Sequence, residues 1–426
     1  MKLKVKIKIL FVLFLLLTFL LSCNKSTDYK NDGKIKIKLT TWFIYNMKEW
    51  EGAIKEFERT HPQIEVEIEN VVYSMHVQKL LTSSAAKVPI ADLIILEDWF
   101  ATEMLERDYF IDLKDKIFND LDTSLIFLKP IEDYKNSKGE IIAFPNFLIS
   151  SVLFYNKDIF DNAKLSYPDS TWTYDDFLQA AKKLTRDKDG DGIIDEWGVQ
   201  LNYSPFLDVL LYAFGGGVLS PDRKRPMIDK PESIEAIKFF VDLYKVHKVA
   251  PVPNPAAMSN TVAFLSGKFA MAIISNYVTK FKSVNFRWDY TYPPKGKASR
   301  VSIRNSIGFG IPKTSKNKEA AWIFLKWLIE SLPPQYSTMA EGIMPNNKKL
   351  ATSKYFLEGE PICNRKILPD LQENYSINYT RTSFAELKDY GFQSAIERAI
   401  SGKYTIEEAA KRGNKNIEEV LKRSGE

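Results

Sequence analysis

An acidic loop in the middle of the chain has the residue spacing of a calcium-binding loop. The run from Asp187 to Asp195 places carboxylates at positions 1, 3, 5 and 9, and glycine at position 6. Calcium takes about six to eight oxygen ligands, and alternate side chains converge on one ion where the sixth residue turns sharply. We predict a structural Ca²⁺ site formed by the side chains of Asp187, Asp189, Asp191 and Asp195 and the carbonyl of Ile193.

This loop departs from an EF-hand at position 12, where Gly198 replaces the bidentate glutamate. The neighbouring Glu196 could partly compensate for that loss. The alternative interpretation is a solvated acidic turn that holds no ion.

The first 22 residues have the pattern of a secretion signal that ends at a cysteine. Four lysines, at positions 2, 4, 6 and 8, precede an apolar run over 9–21, which is shorter than the roughly 20 residues of a membrane-spanning helix. The sequence Leu20-Leu21-Ser22-Cys23 resembles the lipobox of bacterial lipoproteins, so we predict cleavage before Cys23 and lipidation of its sulfur. Since two acyl chains suffice for stable anchoring, we expect an exported protein held on a membrane of the cell envelope. An ordinary signal peptide with an incidental cysteine is the alternative.

The charge of the chain argues against nucleic-acid binding, and its cysteine content argues against an intrachain disulfide. The chain has a formal net charge of +5, and loss of the four signal lysines leaves the mature part near +1. A near-neutral chain lacks the basic face that nucleic-acid binding requires. Cys363 is the remaining cysteine, so no intrachain disulfide is expected once Cys23 is lipidated.

The apolar pattern predicts strands that alternate with helices after a polar tether over 23–33. Alternation over 34–39 predicts a strand, and helical spacing of Met47, Trp50, Ile54 and Phe57 predicts a helix. A strand over 64–72, a helix over 76–86 and an apolar strand over 91–96 follow. This order predicts an α/β fold with a largely parallel sheet. Thr173 and Asp176 occupy capping-box positions at the start of a later helix, and Thr405 and Glu408 repeat the pattern.

The mature chain resembles the extracellular solute-binding proteins of family 1, which include maltose and other sugar receptors. The resemblance is carried by six segments in a fixed order: ADLI (91–94), AFP (143–145), FYNKDIF (154–160), WTYDDF (172–177), AFLSGKFAM (263–271) and SKNKEAAW (315–322). It implies a type II periplasmic binding fold, in which two α/β lobes joined by a hinge enclose a ligand cleft. The implied lobes are 34–143 with 278–332, and 144–277 with 333–426. It also implies a sugar or oligosaccharide ligand and an ABC permease as the membrane partner, and we expect a monomer.

A sugar site needs flat aromatic faces and directional hydrogen-bonding groups, and α/β sheets present ligands at the carboxyl ends of their strands. Trp42 ends the first predicted strand, and Glu97, Asp98 and Trp99 follow the central one. The full set of predicted ligand contacts is Trp42, Glu97, Asp98, Trp99, Asn146, Tyr203, Asn276, Tyr277, Arg304 and Tyr390. Maltose itself is not supported, because maltose-binding relatives carry an acid shortly after the proline of 143–145, and here Asn146 and Phe147 follow it.

Three rival functions share parts of this pattern. A carbohydrate-active enzyme would use Glu97 and Asp98 as a catalytic pair, but adjacent residues at a strand end point to opposite sides and flank one bond poorly. The same fold could bind a peptide, polyamine or metal complex instead of a sugar. A surface adhesin or signalling receptor could use the same scaffold. The sequence favours a non-enzymatic sugar receptor.

Overall fold

The computed structural model describes residues 33–42, 46–251, 262–378 and 392–424. The predicted signal, most of the tether, Cys23 and Tyr390 lie outside these ranges. The described strands are β1 (Ile35–Thr41), β2 (Ile64–Asn70), β3 (Leu93–Glu97), β4 (Phe144–Asn156), β5 (Trp197–Gln200), β6 (Phe269–Ser275), β7 (Trp288–Thr291), β8 (Ser302–Gly310), β9 (Met344–Pro345) and β10 (Ser376–Ile377).

Most of the α-helices lie between these strands in the sequence. They are α1 (Met47–Thr60), α2 (Tyr73–Ala86), α3 (Asp98–Ala101), α4 (Lys114–Asp120), α5 (Lys157–Asn162), α6 (Tyr174–Leu184), α7 (Asp208–Ala213), α8 (Pro231–Lys245), α9 (Val262–Leu265), α10 (Lys318–Glu330), α11 (Lys348–Ala351), α12 (Lys354–Leu357), α13 (Leu368–Asp370), α14 (Ser394–Ile400) and α15 (Ile406–Ser424).

The strands join in the order β2-β1-β3-β8-β4-β6-β5, with β7 and β9 paired to β4 and β10 paired to β8. β1 runs parallel to β2 and β3, as the alternating pattern predicts. β8 is antiparallel to both β3 and β4, and β4 is antiparallel to β6. The prediction of a largely parallel sheet therefore holds for β1, β2 and β3, and β5 and β6 also pair in parallel, as do β8 and β10. It does not hold for the centre of the sheet, because β8 returns from a distant part of the chain and enters antiparallel between β3 and β4.

Buried apolar side chains form three core clusters. The first takes residues from 37–149, 307–311 and 320–350, and the second takes residues from 153–303 and 392–421. The third contains Phe127, Leu148, Val152 and Phe154 together with residues from 264–290 and 344–371. The long strand β4 is buried along its whole length and contributes to all three clusters. Residues after 332 divide between clusters, since Met339 and Ile343 lie in the first and Ile396 in the second.

Local sequence explains where the helices begin. At the start of α6 the Thr173 hydroxyl accepts a hydrogen bond from the backbone N–H of Asp176, and the Asp176 carboxylate accepts one from the Thr173 N–H. This is the predicted capping box, and Thr405 with Glu408 forms the same pair before α15. Both predictions are confirmed because the side chains satisfy N–H groups that a helix cannot satisfy internally.

Candidate functional site

Four aromatic side chains, Trp42, Tyr73, Trp99 and Tyr277, surround the carboxyl ends of β1 and β3, and we call them the aromatic group. The ring of Trp42 lies 5.1 Å from that of Tyr73, edge to face, and Tyr73 lies 6.0 Å from Trp99. Tyr277 follows β6, and its hydroxyl joins it to the group by a hydrogen bond to the Glu97 carboxylate. All four side chains are half-buried, so each keeps part of its surface exposed.

Glu97 is the carboxylate that joins this group. Its Oε2 accepts a 2.6 Å hydrogen bond from the Trp99 indole N–H, and its Oε1 accepts a 3.3 Å bond from the Tyr277 hydroxyl. Burial raises the pKa of Glu97, while the hydrogen bonds from neighbouring side chains and the charge of Lys280 act against that rise. The ammonium of Lys280 lies 5.3 Å from the centre of the Tyr277 ring.

Asp98 is completely buried beside Glu97 but has different partners. It accepts hydrogen bonds from the Trp99 backbone N–H at 2.8 Å and from the side-chain amides of Asn305 and Asn378 at 3.4 and 2.7 Å. Burial raises its pKa well above the usual value, and the nearby charges of Asp133 and Glu97 raise it further. The two adjacent carboxyl groups therefore contact separate sets of groups.

A cavity of about 490 Å³ lies next to this site and is lined by Asn378, the same residue that binds Asp98. Arg304 and Arg223 also line it, and both contact the buried Asp133. Arg304 donates from Nε and Nη2 to Asp133 at distances of 2.9 to 3.2 Å, and Arg223 Nη2 donates to the same carboxylate at 2.9 Å. One wall of this cavity is formed by residues from the segment 129–134, which also contributes to the first core cluster. Another wall is formed by residues from the segment 212–227, which also contributes to the second cluster.

The other predicted contacts lie elsewhere. Asn146 is buried in β4, where its carbonyl accepts from the Asn346 N–H. Asn276 is fully buried and its side-chain oxygen accepts from the Ser150 N–H at 2.8 Å, so it holds β4 against the end of β6. Tyr203 packs in the second core cluster with its ring 5.8 Å from Phe240. Thus the structure brings together Trp42, Glu97, Asp98, Trp99 and Tyr277, and links Arg304 to them through the cavity.

Several residues of the site were not predicted from the sequence. Tyr73 follows β2, which neighbours β1, so the rule of searching strand ends would have found it if applied to every strand. His76 lies in α2 with its ring 5.0 Å from that of Trp42, and its Nε2 contacts the Ile95 carbonyl at 2.8 Å. Asp133 and Asn378 gave no sequence signal, because each is brought to the site by contacts between distant segments.

The acidic loop forms a compact turn between α6 and β5. One carboxylate oxygen from each of Asp187, Asp189 and Asp195 lies within 4.8 Å of the others, and all three side chains are exposed. The Asp187 carboxylate accepts from the N–H groups of Gly190 and Gly192 at 2.7 and 2.8 Å, and these bonds lower its pKa. Both glycines have positive φ, 79° and 88°, which permits the tight turn.

Two loop residues, Asp191 and Glu196, make their contacts outside this cluster of three carboxylates. Glu196 binds Arg186 and Lys188, so its carboxylate is engaged outside the three-carboxylate cluster. The Asp191 side chain accepts from the Ile193 N–H at 2.7 Å and is not a member of that cluster.

Among the described helices, none has the length and apolar content that crossing a membrane would require.

Comparisons with known proteins agree with this architecture. The mannitol-binding protein of Pseudomonas aeruginosa is 23% identical over 409 residues, covering 87% of this chain and 89% of its own. An ABC substrate-binding protein of Listeria monocytogenes, solved with cycloalternan, superposes with a TM-score of 0.76 at 24% identity and covers 91% of this chain and 99% of its own. A maltose/maltodextrin-binding domain of Bdellovibrio bacteriovorus, solved with maltotriose, gives 0.70 at 17% identity, with 91% and 100% coverage. The predicted type II periplasmic binding fold is thereby confirmed, and these relatives are binding proteins rather than enzymes. The sequence model of the family of bacterial extracellular solute-binding proteins matches residues 43–331, and the chain belongs to that family.

Proposed function

We propose that the protein captures a sugar or short oligosaccharide at the aromatic group and delivers it to an ABC permease. The observation that carries this proposal is the grouping of Trp42, Trp99 and Tyr277 around the Glu97 carboxylate. Flat rings pack against the C–H faces of a sugar, while carboxylates accept hydrogen bonds from its hydroxyls. The relatives solved with cycloalternan and maltotriose, and the one named for mannitol, support this class of ligand.

The proposed mechanism is closure of the two lobes around the ligand. A ligand favours the closed form only by contacts that it makes there and not in the open form. We infer that the sugar docks on the aromatic group and that groups along the adjacent cavity complete its hydrogen bonds on closure. The closed receptor is then the form that the permease recognises.

Thermal shift assays on the full chain, purified in mild detergent, test this function. A panel of polyols, monosaccharides and oligosaccharides is added separately, because a ligand that binds only the folded state raises the melting temperature. A rise of several degrees for at least one sugar is expected. No shift with any sugar, for a protein that melts cooperatively, would refute sugar binding, and chromatography of the incubated sugars checks for turnover.

A cationic solute such as a polyamine is the second candidate, favoured by two adjacent carboxyl groups, those of the partly buried Glu97 and the buried Asp98. Spermidine is therefore included in the same panel. Stabilisation by spermidine without stabilisation by any sugar would select this candidate.

We propose that Cys23 carries a lipid anchor and that the protein works at the outer face of a membrane. The lipobox-like sequence before Cys23 supports this placement, and the family is extracellular. Fractionation of cells that express the wild type and Cys23→Ser tests it. The wild type should sediment with membranes and incorporate labelled fatty acid, while Cys23→Ser should do neither; sedimentation of both without label would contradict the anchor.

We propose that the loop from Asp187 to Asp195 holds a structural Ca²⁺, with Asp187, Asp189 and Asp195 as carboxylate ligands. Three carboxylate oxygens within 4.8 Å fit a hard divalent cation, and bound calcium would neutralise their mutual repulsion. Addition of Ca²⁺ to chelator-treated protein should raise the melting temperature, and Asp187→Asn should abolish the rise. The exposed Asp229→Asn serves as the matched control, and equal rises in both variants would contradict the site.

A further inference from the structure

The polar groups beside the aromatic group are mainly hydrogen-bond acceptors. Glu97 and Asp98 present carboxyl groups, and Glu341 adds a third, whose oxygen accepts from the Thr279 hydroxyl at 3.4 Å. His76 is almost fully buried against Trp42, with Nε2 bound to the Ile95 carbonyl and Nδ1 without a partner. Because a carbonyl only accepts, Nε2 carries the proton, and Nδ1 is an acceptor that lies buried inside the protein. The partly buried carboxyl groups of Glu97 and Glu341 are the acceptors that suit a ligand rich in donors.

Three carboxyl groups, those of Glu97, Asp98 and Glu341, lie in a region where the cations acting on Glu97 and Glu341 are two lysines. Burial raises the pKa of Glu97, Asp98 and Glu341, which means that the surrounding groups do not fully offset the cost of burying each carboxylate anion. The cations that act on Glu341 and Glu97 are the exposed Lys280 and Lys282. By contrast, the nearby Asp133 is paired with two arginines.

One cation already occupies the type of position that a charged ligand would take. Lys280 lies over the Tyr277 ring at 5.3 Å, within the distance at which a ring attracts an ammonium group. The same ring donates its hydroxyl hydrogen to Glu97. An ammonium group of a ligand, placed between the Tyr277 ring and the Glu97 carboxylate, would therefore be attracted both by the face of the ring and by the negative charge of the carboxylate.

We propose that the preferred ligand is a sugar carrying a protonated amino group, recognised by the aromatic faces together with Glu97. This inference rests on the proposed sugar-binding function and narrows its substrate class. A neutral sugar supplies hydroxyl donors but no charge, whereas an ammonium group supplies three N–H donors and the missing positive charge.

Calorimetric titration of the full chain in detergent tests the proposal with matched ligands. The probes are the β-1,4-linked disaccharide of glucosamine, its N-acetylated form, in which the charge is removed, and the neutral disaccharide cellobiose. The amino form should bind about tenfold more tightly than the acetylated form, as a partly exposed cation–π contact with an adjacent carboxylate allows. Added salt should narrow this ratio, because screening weakens charge interactions.

Two variants separate the charge effect from general damage. Glu97→Gln should reduce the amino-to-acetyl affinity ratio to near one, and the exposed Glu418→Gln should leave that ratio unchanged. Lys280→Ala should increase the ratio, since a competing cation is removed. A ratio at or below one in the wild type, with clear binding of a neutral sugar, would overturn the proposal and leave the sugar-binding function intact. Absence of binding for every sugar would overturn both.

Discussion

Single aromatic residues set how strongly the proposed site can hold a ring. Trp42 directly follows β1, and its ring packs against those of Tyr73 and His76, so its position is fixed before any ligand arrives. A pre-positioned ring loses little side-chain entropy on binding, and its contact with a sugar therefore contributes almost fully to affinity.

We expect Trp42→Ala to weaken sugar binding about tenfold or more, because it removes one of the two half-buried indole rings of the group. The protein should remain folded, since Trp42 is only half-buried. Titration of the variant measures the effect, and Trp172→Ala, a half-buried tryptophan next to Phe160 in the other core cluster, is the control. Equal affinities for Trp42→Ala and the wild type would remove Trp42 from the site.

His76 should make stability depend on pH. Burial is the main reason that the pKa of His76 falls from 6.5 to about 4. In the unfolded chain His76 is therefore protonated as the pH falls through about 6.5, whereas in the folded protein it stays neutral until the pH reaches about 4. Because the folded state binds fewer protons in this window, the free energy of unfolding should fall as pH is lowered through it, by up to about 3 kcal/mol.

Urea denaturation at steps between pH 6.5 and 4 measures this dependence. The variant His76→Gln should show a shallower decline than the wild type, since the other titrating groups are common to both proteins. Parallel declines would show that His76 does not carry the effect.

Elements form where local signals and burial agree. Helix α6 combines the Thr173 cap at its start with the buried side chains of Phe177, Ala181 and Leu184 along one face. The cap fixes the start of the helix, and the apolar face fixes its orientation against the second cluster.

Thr173→Ala should lower the free energy of unfolding by about 1 kcal/mol, because it leaves the Asp176 N–H without its capping partner. Chemical denaturation provides the measurement. Thr82→Ala, at an exposed position inside α2, should not destabilise the protein, and similar losses in both variants would argue against the capping role.

The sequence predicts local elements better than long-range neighbours. Periodicity located the strands β1, β2 and β3 within a few residues, and caps located α6 and α15, because these features depend on adjacent residues. The entry of β8 between β3 and β4 could not be seen, since it depends on pairing between segments more than 150 residues apart. The same limit explains the site: Trp42 directly follows β1 and Glu97 is the last residue of β3, so both lie at strand ends, but Asn378 reaches Asp98 from 280 residues away.

At the scale of the whole molecule, the contact between Arg223 and Asp133 connects the two walls of the cavity. Arg223 comes from the second-cluster side and Asp133 from the first-cluster side, with 2.9 Å between Nη2 and Oδ1. Arg223 also has a positive φ of 60°, a conformation that costs a non-glycine residue some energy. The contact therefore favours arrangements in which the two walls are close.

Arg223→Ala should weaken sugar affinity by about two- to tenfold, because a contact that stabilises the closed form is removed. Titration measures this change, and small-angle scattering should show a larger radius of gyration at equal ligand occupancy. The exposed neighbour Lys224→Ala is the control. Unchanged affinity and radius in Arg223→Ala would exclude this contact from closure.

The long strand β4 has a consequence for how the protein loses its structure. Phe144 and Phe147 belong to the first cluster, Leu153 and Tyr155 to the second, and the alternating Leu148, Val152 and Phe154 to the third. Withdrawal of this strand from one cluster exposes apolar surface in the others, so no cluster can melt alone. Heating should produce a single cooperative transition whose calorimetric and van't Hoff enthalpies agree, whereas two separate heat-absorption peaks would contradict this coupling.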